Sequence, residues 1–199
     1  MSTPYGLAYR LGITPWERAA KVAEASRDVL FAREEAERPR PPGRALDLGC
    51  GRGVHTHALA TRGWQAVGVD SVPRAVAMAR DSGASGATFV IGDVTDLSAA
   101  DLGTFDFFFD VGCCHGLSVA QRRSMAAGVS ALANPGATLL MVAFQPNRVP
   151  FVPAGLTRAD VEAAFSDWDV VSVEPADASG MPAPLRRTAP QWYRLRLRP

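Results

Sequence analysis

The chain has 199 residues, 47% of them hydrophobic and 21% charged, and its 21 basic side chains stand against 20 acidic ones for a net charge of +1. That composition fits one globular domain with a sizeable core, excludes collagen-like and broadly disordered chains, and provides no basic field to draw in nucleic acid or an anionic membrane. The three cysteines, two of them adjacent (Cys113 and Cys114), offer neither a disulfide framework nor a four-ligand zinc set; no signal peptide or membrane-spanning run is read, so a reducing, cytoplasmic setting is expected.

The predicted elements begin after a mixed lead at residues 1–13. Thr14, Pro15 and Glu17 make a capping box with proline at the first helical position, which predicts a helix over residues 15–37. The run Arg38-Pro-Arg-Pro-Pro-Gly43 ends it. Its apolar stripe is thin and rich in alanine, so residues 1–44 read as a lid helix and linker, and residues 45–199 as the core of a single domain. Strands follow at residues 45–48, 66–69, 88–91, 105–109 and 137–144, with helices at 54–62, 73–81 and from Ser118 to about residue 133. The fourth strand is apolar on both faces, as a buried central strand requires. Such alternation means βαβ units with right-handed crossovers and a mostly parallel sheet. Thr157 caps a last helix to residue 165. Strands at 169–173 and 192–197 are joined by a Pro-, Ala- and Gly-rich loop, so they are expected to pair as an antiparallel hairpin. The fold class is α/β: a Rossmann-like, doubly wound sheet of five parallel strands ending in that hairpin, seven strands in all.

The ends of the first three strands carry the chemistry. The first turn reads Asp47-Leu-Gly49-Cys50-Gly51-Arg-Gly53, and glycines there let a ligand approach the backbone. The dinucleotide fingerprint would need its third glycine at position 54, where Val54 stands. The second strand ends at Asp70, whose carboxylate suits the two hydroxyls of a ribose, followed by Ser71 and Val72. Because Asp70 sits at a strand tip, its loss is expected to leave the free fold little changed. The third strand ends at Asp93 and Val94, a carboxylate suited to an adenine amino group. Together these features outline a crevice for an adenosine-type ligand at the topological switch point.

The set Asp47-x-Gly-x-Gly-x-Gly53, Val69-Asp70, Gly92-Asp93-Val94 and Pro135-Gly136 resembles the class I S-adenosylmethionine-dependent methyltransferases. Thr14-Pro-Trp16-Glu17, the stretch Asp110-Val-Gly-Cys-Cys-His115-Gly-Leu117 and residues 156–165 resemble the thiopurine S-methyltransferase-like group, which includes tellurite-resistance enzymes. That resemblance implies S-adenosylmethionine as cofactor and S-adenosylhomocysteine as product. It places Gly49, Cys50 and Gly51 along the methionine portion, Asp70 on the ribose, Ser71 and Val72 beside the adenosine and Asp93 and Val94 at the adenine. It implies Asp110 facing the methionine amino group and Trp16 covering the cofactor. Cys114 departs from the bulky aromatic that the group often carries.

His115 has a neutral-range reference pKa and reads as a candidate base, the alternative being a structural imidazole bonded to the backbone. His55 and His57, two apart, cannot share a helix face, and no metal site is read. Cys113 and Cys114 read as small packed residues, and Arg194, Arg196 and Arg198 as a solvated strand face. The expected activity is methyl transfer to a sulfur, oxygen or nitrogen atom of a small-molecule acceptor by a bacterial enzyme, monomeric or homodimeric, with no nucleic-acid or membrane partner. A nicotinamide-dependent oxidoreductase and a non-catalytic cofactor-binding module are the alternatives.

Overall fold

The computed structural model describes residues 24–38, 40–83, 86–150 and 152–199. Strands β1 (Arg44–Leu48), β2 (Gln65–Asp70), β3 (Ala87–Ile91), β4 (Phe105–Val111), β5 (Ala133–Ala143), β6 (Trp168–Pro175) and β7 (Gln191–Leu197) form one sheet in the order β3-β2-β1-β4-β5-β7-β6. β1 to β5 are parallel, and β7 is antiparallel to both its neighbours, β5 and β6. The expected sheet and terminal hairpin are both present.

The described helices are α1 (Glu24–Ala36), α2 (Val54–Thr61), α3 (Pro73–Asp81), α4 (Val119–Ala131), α5 (Arg158–Ala164) and α6 (Ala183–Arg186), the last a single turn within the long loop before β7. Ser118 and Thr157 close the capping boxes that start α4 and α5. The strand period decides the layers. Phe107 and Phe109 point to one face, against Phe31 of α1 and Leu59 of α2; Phe108 points to the other, with Met125 and Val129 of α4 and Val161 of α5. Burying both faces of β4 explains its uninterrupted apolar run.

Two expectations change. Asn134, Pro135 and Gly136 lie inside β5 instead of turning into it. Phe105 pairs with Ala133 but Phe107 pairs with Thr138, so the extra residues bulge, with Gly136 at φ 74°. Asn134 donates to Asp106 at 2.9 Å and fixes that bulge to β4.

The basic strand face is solvated only in part: Arg196 and Arg198 are exposed, as expected, whereas Arg194 lies partly buried against α1. Glu34 of α1, only 2% exposed, lies between Arg38 (2.6 Å) and Arg194 (2.8 Å) and accepts from the Thr138 hydroxyl. Glu37 pairs with Arg194 and Arg196, and Arg198 pairs with Asp169. The described part of the N-terminal helix therefore covers the sheet: Arg27 lies beside His55, and Arg38, just past the helix end, reaches the Asp106 carbonyl at the start of the central strand β4. The capping box at Thr14–Glu17, Trp16 and the first half of the expected lid lie outside the described residues.

Removing one member of a buried ion pair typically costs about 3–5 kcal/mol, because the partner charge stays behind without compensation. Glu34→Ala is therefore expected to lower the unfolding free energy by about 3 kcal/mol or more in urea titrations, and Glu37→Ala, whose carboxylate is exposed, by about 1 kcal/mol or less. Equal losses in the two variants would show that the pair at Glu34 does not fasten α1 to the sheet.

Candidate active site

Strand order reverses between β1 and β4, and in open α/β sheets the carboxyl ends of strands at such a switch point are where ligands bind. The loop after β1 is shaped by its glycines. Gly49 sits at φ 72°, and a Cβ there would lie 3.0 Å from both the Cβ and the Sγ of Cys113, so β1 and β4 loops touch across the switch point. Gly53 sits at φ 77°, and a Cβ on it would meet the Phe89 ring at 2.5 Å. Both positions need glycine for conformation and for space.

The backbone N–H groups of Gly49 and Cys50 both donate to the Val69 carbonyl, at 2.8 and 3.0 Å, which bends the loop towards β2. There the Asp70 carboxylate accepts from Gly51 N at 2.9 Å and from Val72 N at 2.8 Å. One side chain thus ties the glycine loop to the turn that starts α3. Burial raises its pKa above the ordinary carboxylate range, and the two backbone donors act against that shift. A carboxylate has about four acceptor directions, so two remain for hydroxyl donors. The expectation that Asp70 matters little to the free fold does not stand, because its loss leaves two backbone donors without their acceptor.

Two of the expected site carboxylates turn inward. Asp47, 1% exposed, accepts from the Thr56 hydroxyl at 2.6 Å and so pins the first turn of α2; burial pushes its pKa up to about 7, and the charges of Asp110 and Asp70 add to the rise. Asp110, fully buried, accepts from Cys113 N at 2.7 Å and Cys114 N at 2.9 Å, and burial raises it to about 7 as well. In this arrangement Asp110 holds the turn after β4 and presents no surface to an amino group. Both are positioning residues.

At the end of β3, Asp93 is exposed and its Oδ1 accepts from the amide and hydroxyl of Thr95. Ser71 is exposed too, whereas Val72 and Val94 are buried and form the floor beneath these loops. Burial pushes the thiols of Cys50, Cys113 and Cys114 upward, so none is a thiolate at neutral pH.

His115, half-buried in the turn Cys114–Gly116, stacks on Phe144 at 4.5 Å. Its Nδ1 accepts from the Phe144 backbone N–H at 3.1 Å, and burial lowers its pKa to about 4. A neutral imidazole whose Nδ1 accepts carries its proton on Nε2. It therefore offers a donor, not a base, and the general-base expectation gives way to the structural alternative, with the backbone as donor. His55 contacts Arg27 and His57 contacts Ser82, and among the described residues no cluster could hold a metal. Thr56 is a contributor that sequence reasoning does not single out, because only the fold brings its hydroxyl to Asp47.

Residues 45–136 match the sequence family described as methyltransferase domain. Over the whole chain, NodS, an N-methyltransferase from Bradyrhizobium japonicum solved with S-adenosyl-L-homocysteine, superimposes with a TM-score of 0.69 at 19% identity, covering 96% of this chain and 92% of its own. A structure solved for the conversion of a disulfide bond into a thioacetal group in echinomycin biosynthesis gives 0.71 at 23% identity, covering 99% and 93%. The chain has the class I methyltransferase fold.

Among relatives by sequence, a 2-heptyl-1-hydroxyquinolin-4(1H)-one methyltransferase of Mycobacteroides abscessus is 30% identical over 148 residues, which is 70% of this chain and 65% of that protein. Hemagglutinin 1 of Eikenella corrodens is 29% identical over 165 residues, 76% of this chain and 55% of that protein. The chain thus spans less than two thirds of the length of either relative. Within the described part of this methyltransferase fold, no helix is long and apolar enough to cross a membrane.

Stranding two backbone donors typically costs about 1–3 kcal/mol, and a domain of this size loses roughly 2–4 °C per kcal/mol. Asp70→Ala without ligand is expected to melt several degrees below the parent. A melting curve superimposable on the parent's would mean that the glycine loop keeps its shape without Asp70.

Proposed function

We propose that the protein is an S-adenosylmethionine-dependent methyltransferase acting on a heteroatom of a small molecule. The observation that carries this reading is the glycine loop at the switch point, held by Asp70 with two acceptor directions still open. The match of residues 45–136 to a methyltransferase domain supports it. The cradle suits an adenosyl ligand: backbone approach is close at Gly49 and Gly51, Asp70 would accept from the ribose hydroxyls, and Asp93 would receive the adenine amino group above Val94. When bound, the cofactor supplies a methyl group already activated on a sulfonium, so the protein needs to align an attack more than to provide acid, metal or covalent help. Asp47 and Asp110 keep the two loops in register, and His115 offers Nε2–H beside the acceptor. No proton abstraction is assigned to it, so the acceptor arrives ionised or loses its proton to water.

Sulfur, oxygen and nitrogen remain in the proposal. The resemblance of Asp110–Leu117 to the thiopurine group speaks for sulfur, and the hydroxyquinolone methyltransferase relative speaks for a small ring acceptor. A cytoplasmic single-domain enzyme fits both. The second reading is a module that binds the cofactor without transferring its methyl group.

S-adenosylhomocysteine at about 100 times its dissociation constant is expected to stabilise the fold by roughly 2.7 kcal/mol, and NADH is not. Release of S-adenosylhomocysteine from S-adenosylmethionine across a panel of thiols, phenols and hydroxyquinolones separates transfer from binding alone. Stabilisation by NADH as large as that by S-adenosylhomocysteine would reject the methyltransferase reading, and a silent panel with tight binding would select the non-catalytic one.

A further inference from the structure

Beside the turn Cys114–Gly116 lies a cavity of about 520 Å³, within the size range of pockets for drug-sized ligands. Leu117, Val152 and Pro153 give it apolar walls, and its polar side chains are those of His115, Ser118 and Arg122. All three can donate a hydrogen bond: the Arg122 guanidinium has N–H donors and no acceptor, His115 carries its proton on Nε2, and the Ser118 oxygen already accepts from Gln121 N. No acidic residue is among those lining the cavity.

Arg122 is the unusual member. Among the described residues its guanidinium forms no ion pair within 4 Å, although its charge helps to lower the pKa of Asp160, and its Nε is buried with no hydrogen-bond partner. The nearby acid, Asp160, lines a separate small cavity on the other side of Arg122, and its carboxylate is taken up by the amide and hydroxyl of Thr157. Among the described residues three other semi-buried arginines are held by acids: Arg38 and Arg194 by Glu34, and Arg62 by Glu35. A buried donor without an acceptor is costly and calls for an explanation. Arg122 also lines the cavity, which is large enough to admit an anion beside its guanidinium.

We infer that this cavity receives the methyl acceptor and that Arg122 selects acceptors bearing a negative charge on an apolar body, as in an aromatic carboxylate or an ionised hydroxy-heterocycle. The inference rests on the methyltransferase reading for what the bound molecule undergoes, while the charge preference follows from the cavity itself. Arg122 supplies the charge-assisted bonds, His115 Nε2–H a second donor, and Leu117 with Val152 and Pro153 the contact for the ring or chain. Arg122 is a specificity-determining residue in this account; it makes no bond to the cofactor crevice that Asp70 organises.

The test is direct binding, so it does not depend on turnover. Fluorescence titration with 1-naphthoate and with its neutral isostere 1-naphthamide is carried out on the protein saturated with S-adenosylhomocysteine. The parent is expected to bind the anion about tenfold or more tightly than the amide, the loss typical of a hydrogen bond to a charged group. Arg122→Gln should bring the two affinities together, Arg122→Lys should keep part of the preference, and both should bind S-adenosylhomocysteine within about twofold of the parent. Equal binding of the two probes by the parent, no binding of either, or a preference that survives in Arg122→Gln would overturn the inference. If S-adenosylhomocysteine itself does not bind the parent, the methyltransferase reading fails. The naphthoate preference measured without it still decides whether Arg122 receives an anion.

Discussion

The Asp70 carboxylate does two jobs with its two oxygens. Through Gly51 N it holds the glycine loop against the end of β2, and through Val72 N it starts α3. Both donors are backbone groups, so the loop's position is set by the chain and not by a mobile side chain. The loop is thereby ordered before any ligand arrives, so the entropy of ordering it is met on folding. In the proposed reading the remaining acceptor directions of the same carboxylate would take the ligand's hydroxyls, which would couple stability and recognition at one residue.

The neighbouring carboxylates follow a different logic. Asp47 and Asp110 lie on the neighbouring strands β1 and β4, one register position apart: Asp47 pairs with Phe109, and Asp110 with Leu48. Each spends its acceptor capacity on the local turn, Asp47 on Thr56 and Asp110 on Cys113 and Cys114. Burial moves both to about 7, so the folded protein holds protons there more tightly than the unfolded chain does. Because an acid with a raised folded-state pKa favours folding at low pH, their contribution fades as pH rises from about 4 to 7. The crevice pays for its rigid loops with two acids that ionise reluctantly.

Much of this was legible in the sequence. Periodicity and caps located many of the elements because β1, β2 and β4 are buried along most of their length and α4 and α5 start on capping boxes. The hairpin followed from the lack of room for a crossover. Its insertion geometry, with β7 between β5 and β6, did not, since no local signal orders strands. The bulge at Asn134–Gly136 was missed because a proline and a glycine read as a turn until the pairing of Phe105 with Ala133 is known. Arg194 of β7 looked solvated because its partners, Glu34 and Glu37, are some 160 residues away in the chain. In the site, residue types were readable and directions were not. Asp70, Asp110 and His115 were each found by position, but a carboxylate turned inward or an imidazole accepting from Phe144 depends on backbone donors that only the folded chain brings near.

The central claim is that the crevice organised by Asp70 binds an adenosyl ligand through that carboxylate. Isothermal titration calorimetry of S-adenosylhomocysteine with Asp70→Asn addresses it most directly, because the amide keeps the size of the side chain and one acceptor oxygen while removing the charge that ribose hydroxyls would meet. Hydrogen bonds to charged groups typically carry about 1.5–3 kcal/mol, so the account predicts affinity roughly tenfold or more below the parent's. Affinity within about twofold of the parent would contradict it and leave Asp70 as a fastening for the loop alone.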